Sequence, residues 1–229
     1  MLKILVKIPT RSRPVRFTQI LEKYVQMSNH PEEIEYLISI DEDDFQMNSY
    51  KIEQMCVGIT SGRIKYVVGR SSCKIEAINR DIHMVKEWDI LLNGADDMIP
   101  VVQGWDDVVR EKFEQNFIGS AGCVHFLDGT HPKLCTMSIM NRMAYNETGW
   151  IYHPSYISLW CDQEFTDYWS KSNRLLCVNQ ILFEHRHPAA HSKEKHKLDA
   201  LYIRNEDKRL WNADEANYRK RKEQGFPLN

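Results

Sequence analysis

Four polar, charged segments each follow a short apolar run in the first hundred residues: "TRSRP" at 10–14, "DEDD" at 41–44, "GRSSCK" at 69–74 and "GADD" at 94–97. Asp96 and Asp97 are adjacent carboxylates at the end of "DILLN". Such a pair suits a hard divalent cation, because Mg²⁺ and Mn²⁺ take one or two carboxylates together with substrate phosphates. The plainer reading is a solvated turn after a strand. Asp41, Asp43 and Asp44 end a second apolar run. They are either a solvated acidic loop or acceptors for a nucleoside's ring N–H and ribose hydroxyls, work that a carboxylate after an early strand does in dinucleotide folds. No G-x-G-x-x-G follows the first run, so a glycine-rich phosphate cradle is absent. Arg11 and Arg13 offer guanidinium groups to phosphate oxygens instead.

Two later segments add acid–base and metal chemistry. "CDQE" places Asp162 and Glu164 at a predicted helix start. Acidic residues there stabilise the helix dipole; alternatively, one of them is a general base for an acceptor hydroxyl. "FEHRHPAAH" carries His185, His187 and His191 after an apolar run. A histidine at a strand end is usually a surface residue or a cap. Imidazole is also the commonest side-chain ligand of transition metals, and His-x-His with a distant carboxylate favours Mn²⁺ over Mg²⁺. No H-E-x-x-H occurs, and the three-histidine spacing matches no familiar zinc template.

The elements that must position these groups alternate. "KILVKIP" reads as a strand and residues Val15 to Ser28 as a helix with Phe17, Ile20, Leu21, Tyr24 and Val25 on one face. "IEYLISI" is a strand, "SYKIEQMCVGI" a helix, "RIKYVVG" a strand, "KIEAINRDIHMVKE" one continuous helix and "WDILLNGADD" a strand with its acidic loop. This β-α-β-α-β-α-β order predicts a mostly parallel sheet covered on both faces, with its ligand outside the carboxyl ends of the strands. All four charged segments then gather at one edge. Beyond Pro100, "GWDDVVREKFEQNF" and "LWCDQEFTDYWSK" read as helices and "CVNQILFEHRHP" as one strand ending in histidines. The charged stretch from Ser192 reads as helical.

The totals describe an ordinary globular chain. It has 229 residues, 42% hydrophobic and 27% charged, with a formal net charge of −2 and no basic surplus of the kind a general nucleic-acid binder carries. A local basic groove remains compatible with that balance. Six scattered cysteines without a C-x-x-C pair argue against zinc ribbons and thioredoxin chemistry and predict free thiols in the cytoplasm. The opening "MLKILVKIP" is too short for a signal peptide, and no stretch is long and apolar enough to span a membrane.

In order along residues 2 to 187, these pieces resemble the GT-A fold glycosyltransferases, most nearly glycosyltransferase family 2. "VKIPTRSRP" resembles the family's first strand and P-T-x-x-R loop, and "LISIDEDD" its second strand. "KIEAINRDI" resembles the helix with A-x-N-x-G, "LLNGADD" the segment h-h-h-D-A-D-D, and "WCDQEFTD" the later acidic segment. The resemblance implies an α/β, Rossmann-like, mostly parallel central sheet flanked by helices, with a C-terminal helical extension. It divides the chain into a GT-A domain over 1–191, with a nucleotide-sugar half at 1–100 and an acceptor half at 101–191, and a charged helical extension at 192–229.

The same resemblance implies roles. Asp41 would contact the nucleobase, Pro9, Thr10, Arg11 and Arg13 would line the nucleotide pocket, and Lys74, Asn79 and Arg80 would lie beside the ribose or diphosphate. Asp96 and Asp97 would hold Mn²⁺ or Mg²⁺ on the diphosphate, with His185 or His187 as a further ligand. Asp162 would be the base, with Glu164 second. Gly94 stands where the family commonly has the first Asp of D-x-D, and Arg80 and Asp81 stand where a glycine is usual. The implied activity is metal-dependent, inverting transfer from a nucleotide sugar, with a UDP-sugar the first choice, to an acceptor hydroxyl. The acceptor is a glycan or, less favoured, a hydroxylated base in nucleic acid, and Trp150, Tyr152, Tyr156 and Trp160 are aromatics that could stack on it. Competing classes are a nucleotidyltransferase or sugar-phosphate pyrophosphorylase, and a non-catalytic carbohydrate- or nucleotide-binding module.

Overall fold

The computed structural model describes residues 1–187 and 199–228. The first half alternates as its apolar periodicity dictates: β1 (Ile4–Pro9), α1 (Pro14–Gln26), β2 (Ile34–Asp41), α2 (Tyr50–Ile59), β3 (Ile64–Gly69), α3 (Lys74–Asn79) and β4 (Ile90–Asn93). The second half adds β5 (Met98–Pro100), α4 (Trp105–Asn116), β6 (Cys123–Leu127), β7 (Ile139–Asn141), α5 (Arg142–Thr148) and α6 (Cys161–Lys171). It ends with β8 (Leu175–Ile181), β9 (Phe183–His185), α7 (Ala200–Asn205) and α8 (Lys208–Glu223). Seven strands form one sheet in the order β3-β2-β1-β4-β7-β6-β8. β1 runs parallel to β2 and β4, and β2 to β3, while β7 is antiparallel to both of its neighbours. β5 and β9 form a separate antiparallel pair.

Each face of the sheet is covered. On one side Val6, Ile8, Ile38 and Leu92 pack against Phe17, Leu21 and Tyr24 of α1 and Trp105 and Val109 of α4. On the other, Leu5, Leu37 and Leu91 share a core with Ile75 and Ile78 of α3 and Phe165 and Trp169 of α6. Fully burying side chains of this size stabilises the fold by roughly 1.5–3 kcal/mol each. Strand order reverses at β1, because β2 lies on one side of it and β4 on the other. The switch point opens a crevice between their carboxyl ends.

Two predicted elements are divided. The helix expected over residues 74–87 stops at Asn79, and a short 3₁₀ turn, Ile82–Met84, follows. Arg80 is extended, with its guanidinium donating to the carbonyl of Ile40 at 2.6 Å, and Asp81 takes a left-handed φ of 72°. Asp81 accepts a hydrogen bond from Ser39 at 2.6 Å. These sheet contacts outcompete continuation of the helix. The strand expected over 177–188 breaks at Leu182, so that β8 pairs with β6 and β9 turns to pair with β5.

The charged tail is tied to the rest of the chain by named contacts. Asp214 accepts from the backbone N–H groups of Ile157, Ser158 and Leu159 at 2.8–2.9 Å. Arg221 forms a two-point pair with Glu164 at 2.7 and 2.8 Å. None of the described helices is long and apolar enough to cross a membrane.

Lys7 is fully buried two residues on from Leu5, with its ammonium hydrogen-bonded to the Ser39 hydroxyl. Burial lowers its pKa to about 7, against the pull of Asp81. Between that value and the ordinary lysine range the unfolded chain binds the extra proton, so this residue makes stability rise with pH across that window. Lys7→Met is therefore expected to stabilise the fold at neutral pH by ~1–4 kcal/mol, as replacing buried charge with an apolar side chain often does. The gain should shrink as pH rises from 7 towards 10, as read from denaturant midpoints.

Candidate active site

A cleft of about 670 Å³ opens at the carboxyl ends of β1, β2 and β4. Pro9 lines it from the end of β1, Thr10, Arg11 and Arg13 from the loop that follows, Asp41 from the end of β2, and Lys74 from the start of α3. Asp96 and Asp97 line it after β4, Asp162 from the first turn of α6, and His185 and His187 from β9 onward. The fold thus brings together eleven of the residues singled out in the sequence. Five buried atoms of residues in the cleft wall, Thr10 Oγ1, Asp41 Oδ1, Ser71 Oγ, Asn93 Oδ1 and Trp160 Nε1, have no hydrogen-bond partner among the described residues. Buried polar groups are nearly always partnered, so five in one wall mark a surface built for a polar ligand.

Three of the expected residues lie elsewhere. Asn79 uses both ends of its amide on the loop before α6. It donates to the Tyr152 carbonyl at 2.6 Å and accepts from the N–H groups of Ile151 and Tyr152 at 3.0 and 3.1 Å. Arg80 is spent on the Ile40 carbonyl and on Asp81 at 3.3 Å. Glu164 is buried between Arg221 and the hydroxyl of Tyr156, which donates to it at 2.7 Å. None of the three is part of the cleft wall. They hold structure, because local polar partners meet them before a ligand does. His191 falls outside the described residues.

At one end of the cleft, Arg11 bridges Asp41 at 2.9 Å and Asp43 at 2.5 Å. Asp44 turns inward instead, accepting from the Ser12 N–H at 2.6 Å and fixing the loop after β1.

The acidic loop is held by cations and a phenol. Asp96 accepts from Arg13 at 2.9 Å, and its carbonyl accepts from Arg16 at 2.8 Å. Arg13 also reaches Asp199 through two bonds of 2.7 Å and lies 4.0 Å over the ring of Tyr202. Tyr202 donates its hydroxyl to Asp97 at 2.9 Å. Burial raises the Asp96 carboxyl above the usual carboxylate range despite Arg13. For Asp97, burial is outweighed by His185, Arg16 and Tyr202, which hold it well below that range.

His185 lies between two carboxylates, with Nε2 3.8 Å from Asp97 and Nδ1 3.4 Å from Asp128. Burial alone would lower its pKa, but the two acids raise it to about 9. His187 pairs with Glu206 at 2.7 Å and packs edge-on against Tyr202. Asp97 and His185 offer one carboxylate oxygen and one imidazole nitrogen to the same space, a donor set that suits Mn²⁺. Asp128, His131 and His185 also bring one ligand atom each to within 4.8 Å of one another.

Gly94 does not mark a missing cleft carboxylate. A Cβ there would meet Ile8 at 3.0 Å and the Tyr24 hydroxyl at 3.4 Å, so any side chain would enter the core. Asn93 is the residue of β4 that faces the cleft.

Asp162 accepts from the N–H of Gln163 at 2.9 Å. Burial raises its pKa, and the Lys74 ammonium opposes that rise. Of the expected aromatics, Tyr152 and Trp160 reach the cleft, whereas Tyr156 is in the core and Trp150 packs edge-on against His153. Ser71, His131, Trp211 and Tyr202 line the cleft without having been singled out from the sequence. No spacing signal marks them, since they come from four separate segments.

No protein-family model matches the sequence, and no curated protein matches it. Solved structures do resemble it. A mannosyltransferase, PcManGT from Pyrobaculum calidifontis in complex with GDP-Man and Mn²⁺, superposes with a TM-score of 0.67 at 9% identity over 86% of this chain and 59% of its own. TarS 1-349 of S. aureus in complex with UDP gives 0.64 at 12% identity, over 96% of this chain and 71% of its own. The 4-diphosphocytidyl-2C-methyl-D-erythritol synthase of Anaerococcus prevotii gives 0.52 at 13% identity, over 77% and 86%. This chain spans 59% of the mannosyltransferase's length and 43% of a longer TarS chain. The likeness is one of fold, and the chain has the GT-A fold that the glycosyltransferases among these structures share.

Proposed function

We propose that this chain is a metal-dependent, inverting glycosyltransferase that moves a sugar from a nucleotide donor to an acceptor hydroxyl. The observation that carries the reading is the composition of one cleft: unpartnered polar atoms and guanidinium groups, a carboxylate–imidazole pair, and a buried carboxylate of raised pKa. Structural neighbours bound to GDP-Man with Mn²⁺, to UDP and to UDP-GlcNAc support it.

In this reading Asp41 and the loop of Pro9, Thr10 and Arg11 hold the nucleoside, with Arg13 and Lys74 towards the diphosphate. Asp97 and His185 hold Mn²⁺ or Mg²⁺, with Asp96 and His187 behind them. The bound cation offsets charge on the departing nucleoside diphosphate. Asp162 takes the proton from the acceptor hydroxyl as its oxygen attacks the anomeric carbon. The bond to the diphosphate breaks with its electron pair on the phosphate oxygen, and the anomeric centre inverts. A UDP-sugar is the first donor to test, and a glycan the favoured acceptor over nucleic acid. The six free cysteines suit a reducing cytoplasm.

The likeness to the diphosphocytidyl synthase keeps nucleotidyl transfer as the second reading, although the loop after β1 is not glycine-rich. A panel of UDP-, GDP- and CDP-sugars incubated with and without Mn²⁺ separates the two. Glycosyl transfer or donor hydrolysis releases nucleoside diphosphate, and the expected result is its release from one sugar donor only when Mn²⁺ is present. Pyrophosphate release from a nucleoside triphosphate and sugar phosphate would establish the alternative. No turnover in either assay, with nucleotide still bound, would point to a binding module.

A further inference from the structure

We propose that Trp211 of α8, backed by Trp160, is the stacking platform for a pyranose ring of the acceptor; this rests on the glycosyl-transfer reading above. Of the six tryptophans Trp211 alone is exposed, at 47%, and it lines the cleft. Its ring centroid is 5.4 Å from that of Trp160, with the two planes at 72°. A contact this close to perpendicular uses one face or the edge of an indole. At least one face of Trp211 is therefore left without a ring against it among the described residues.

The platform is held from behind. Trp211 and Tyr218 are seven residues apart on the same side of α8, and Tyr218 packs on Trp160 at 5.2 Å with the planes tilted by 32°. Asp214, between them in the helix, holds the three N–H groups of residues 157–159, and Ser158 Oγ donates to the Asn205 carbonyl at 2.8 Å. Trp160 itself takes a left-handed φ of 63°, a conformation that is rare for so large a residue and persists only where the surroundings impose it. It precedes Asp162 by two residues, so the indole pair stands beside the first turn of α6, where the acceptor hydroxyl must arrive.

The wall around the pair selects the ligand. A pyranose face that carries axial C–H groups is apolar, and an open indole face removes it from water. The sugar hydroxyls need polar partners. Trp160 Nε1 is a donor without a hydrogen-bond partner among the described residues, and Asn205 and Gln163 bring amides to the same cleft. A nucleobase also stacks on an aromatic ring, but it arrives with phosphates that need cations. Among the described residues of 158–163 and α8, none that lines the cleft is cationic, and Asp162 adds a carboxylate there. Arg209 is spent on Asp207 at 3.1 Å, and Lys222 on Asp167 at 2.7 Å. This charge pattern favours a neutral saccharide over a nucleic-acid strand.

The test is saturation-transfer ¹H NMR on the full chain with UDP and Mn²⁺ present, using cellotetraose, chitotetraose, mannotetraose and an eight-residue oligothymidylate as probes. Ring C–H protons of a saccharide should receive saturation, and Trp211→Ala should weaken its affinity about 10- to 30-fold, the loss expected of a Trp at the centre of a contact. Trp211→Leu keeps apolar packing on Trp160 and removes the flat face, so it should lose as much. Trp211→Phe restores an aromatic face and should recover most of the affinity. UDP affinity in EDTA should be equal in wild type and Trp211→Leu. Its loss in Trp211→Leu at an unchanged melting temperature makes Trp211 a nucleobase platform and overturns the proposal. Oligothymidylate binding in place of the saccharides overturns it, as does saccharide affinity that is unchanged in Trp211→Leu, and as does the absence of saccharide binding. Nucleoside diphosphate release from a sugar donor is read separately on the wild type. Trp211-dependent saccharide binding without that release keeps the platform and overturns the transfer reading. Release with Trp211-independent saccharide binding overturns the platform alone.

Discussion

Asp162→Asn is expected to lower kcat by roughly 10²- to 10⁴-fold, the range general-base catalysis supplies, while nucleotide-sugar affinity stays near wild type. The amide preserves shape and the hydrogen bond from the Gln163 N–H, and removes only basicity. Loss of kcat without loss of donor binding is the mark of a group that acts in the transition state. The pH profile adds a second readout. A base must be ionised, so activity rises as pH climbs through its pKa. Burial raises that of Asp162 against Lys74, which places the acid limb above the ordinary carboxylate range. The limb should vanish in residual Asp162→Asn activity. Full turnover by the variant would remove Asp162 from the mechanism. Glu164→Gln should instead lower the melting temperature, because it leaves the Arg221 guanidinium buried without its counter-charge, a loss of about 3–5 kcal/mol.

Asp97→Ala is expected to abolish the part of nucleoside diphosphate affinity that depends on Mn²⁺. Wild type should bind UDP more tightly with Mn²⁺ than in EDTA, and the variant should bind equally in both. The effect on Mn²⁺ affinity should exceed the 10- to 100-fold typical of outer-shell changes, because the carboxylate itself is removed. His185→Ala should follow the same pattern. Asp97 also receives the Tyr202 hydroxyl, so Tyr202→Phe is the matched control: it removes that bond and keeps the carboxylate. Retained Mn²⁺ dependence in Asp97→Ala would place the cation elsewhere.

The parallel half of the sheet was legible because its strands are short apolar runs between amphipathic helices, and α1 and β2 fall within two residues of their expected limits. That topology alone carried Arg13, Asp41, Asp96 and Asp97 to one edge. Asn79, Arg80 and Glu164 were misplaced for a common reason. Residue type shows what a side chain can bind, but not that a backbone carbonyl or a guanidinium from 57 residues away reaches it first. Gly94 was read only as a departure from D-x-D, since nothing but the direction of a Cβ shows that a side chain there would meet Ile8 and Tyr24. Asp128 gave no signal because its "DGT" context reads as an ordinary turn, and its partner His185 comes from a strand that pairs elsewhere.

The clasp between Arg13, Asp199, Tyr202 and Asp97 has a kinetic corollary. Its two bridges join residues 186 and 105 positions apart in the chain. At about 5–20 residues per second, Asp199 leaves the ribosome roughly 10–40 s after Arg13. β1, β2, β3 and β4 have all emerged by then and have had time to associate, whereas the clasp closes the longest loop made by a side-chain hydrogen bond among the described residues and bears the corresponding entropy cost. The parallel half of the sheet can therefore pair before the clasp closes over the acidic loop. During that interval Asp96 and Asp97 stand beside Arg13 and Arg16 without the tyrosine, so the carboxylate of Asp97 acquires its last hydrogen-bond donor only when the C-terminal segment folds.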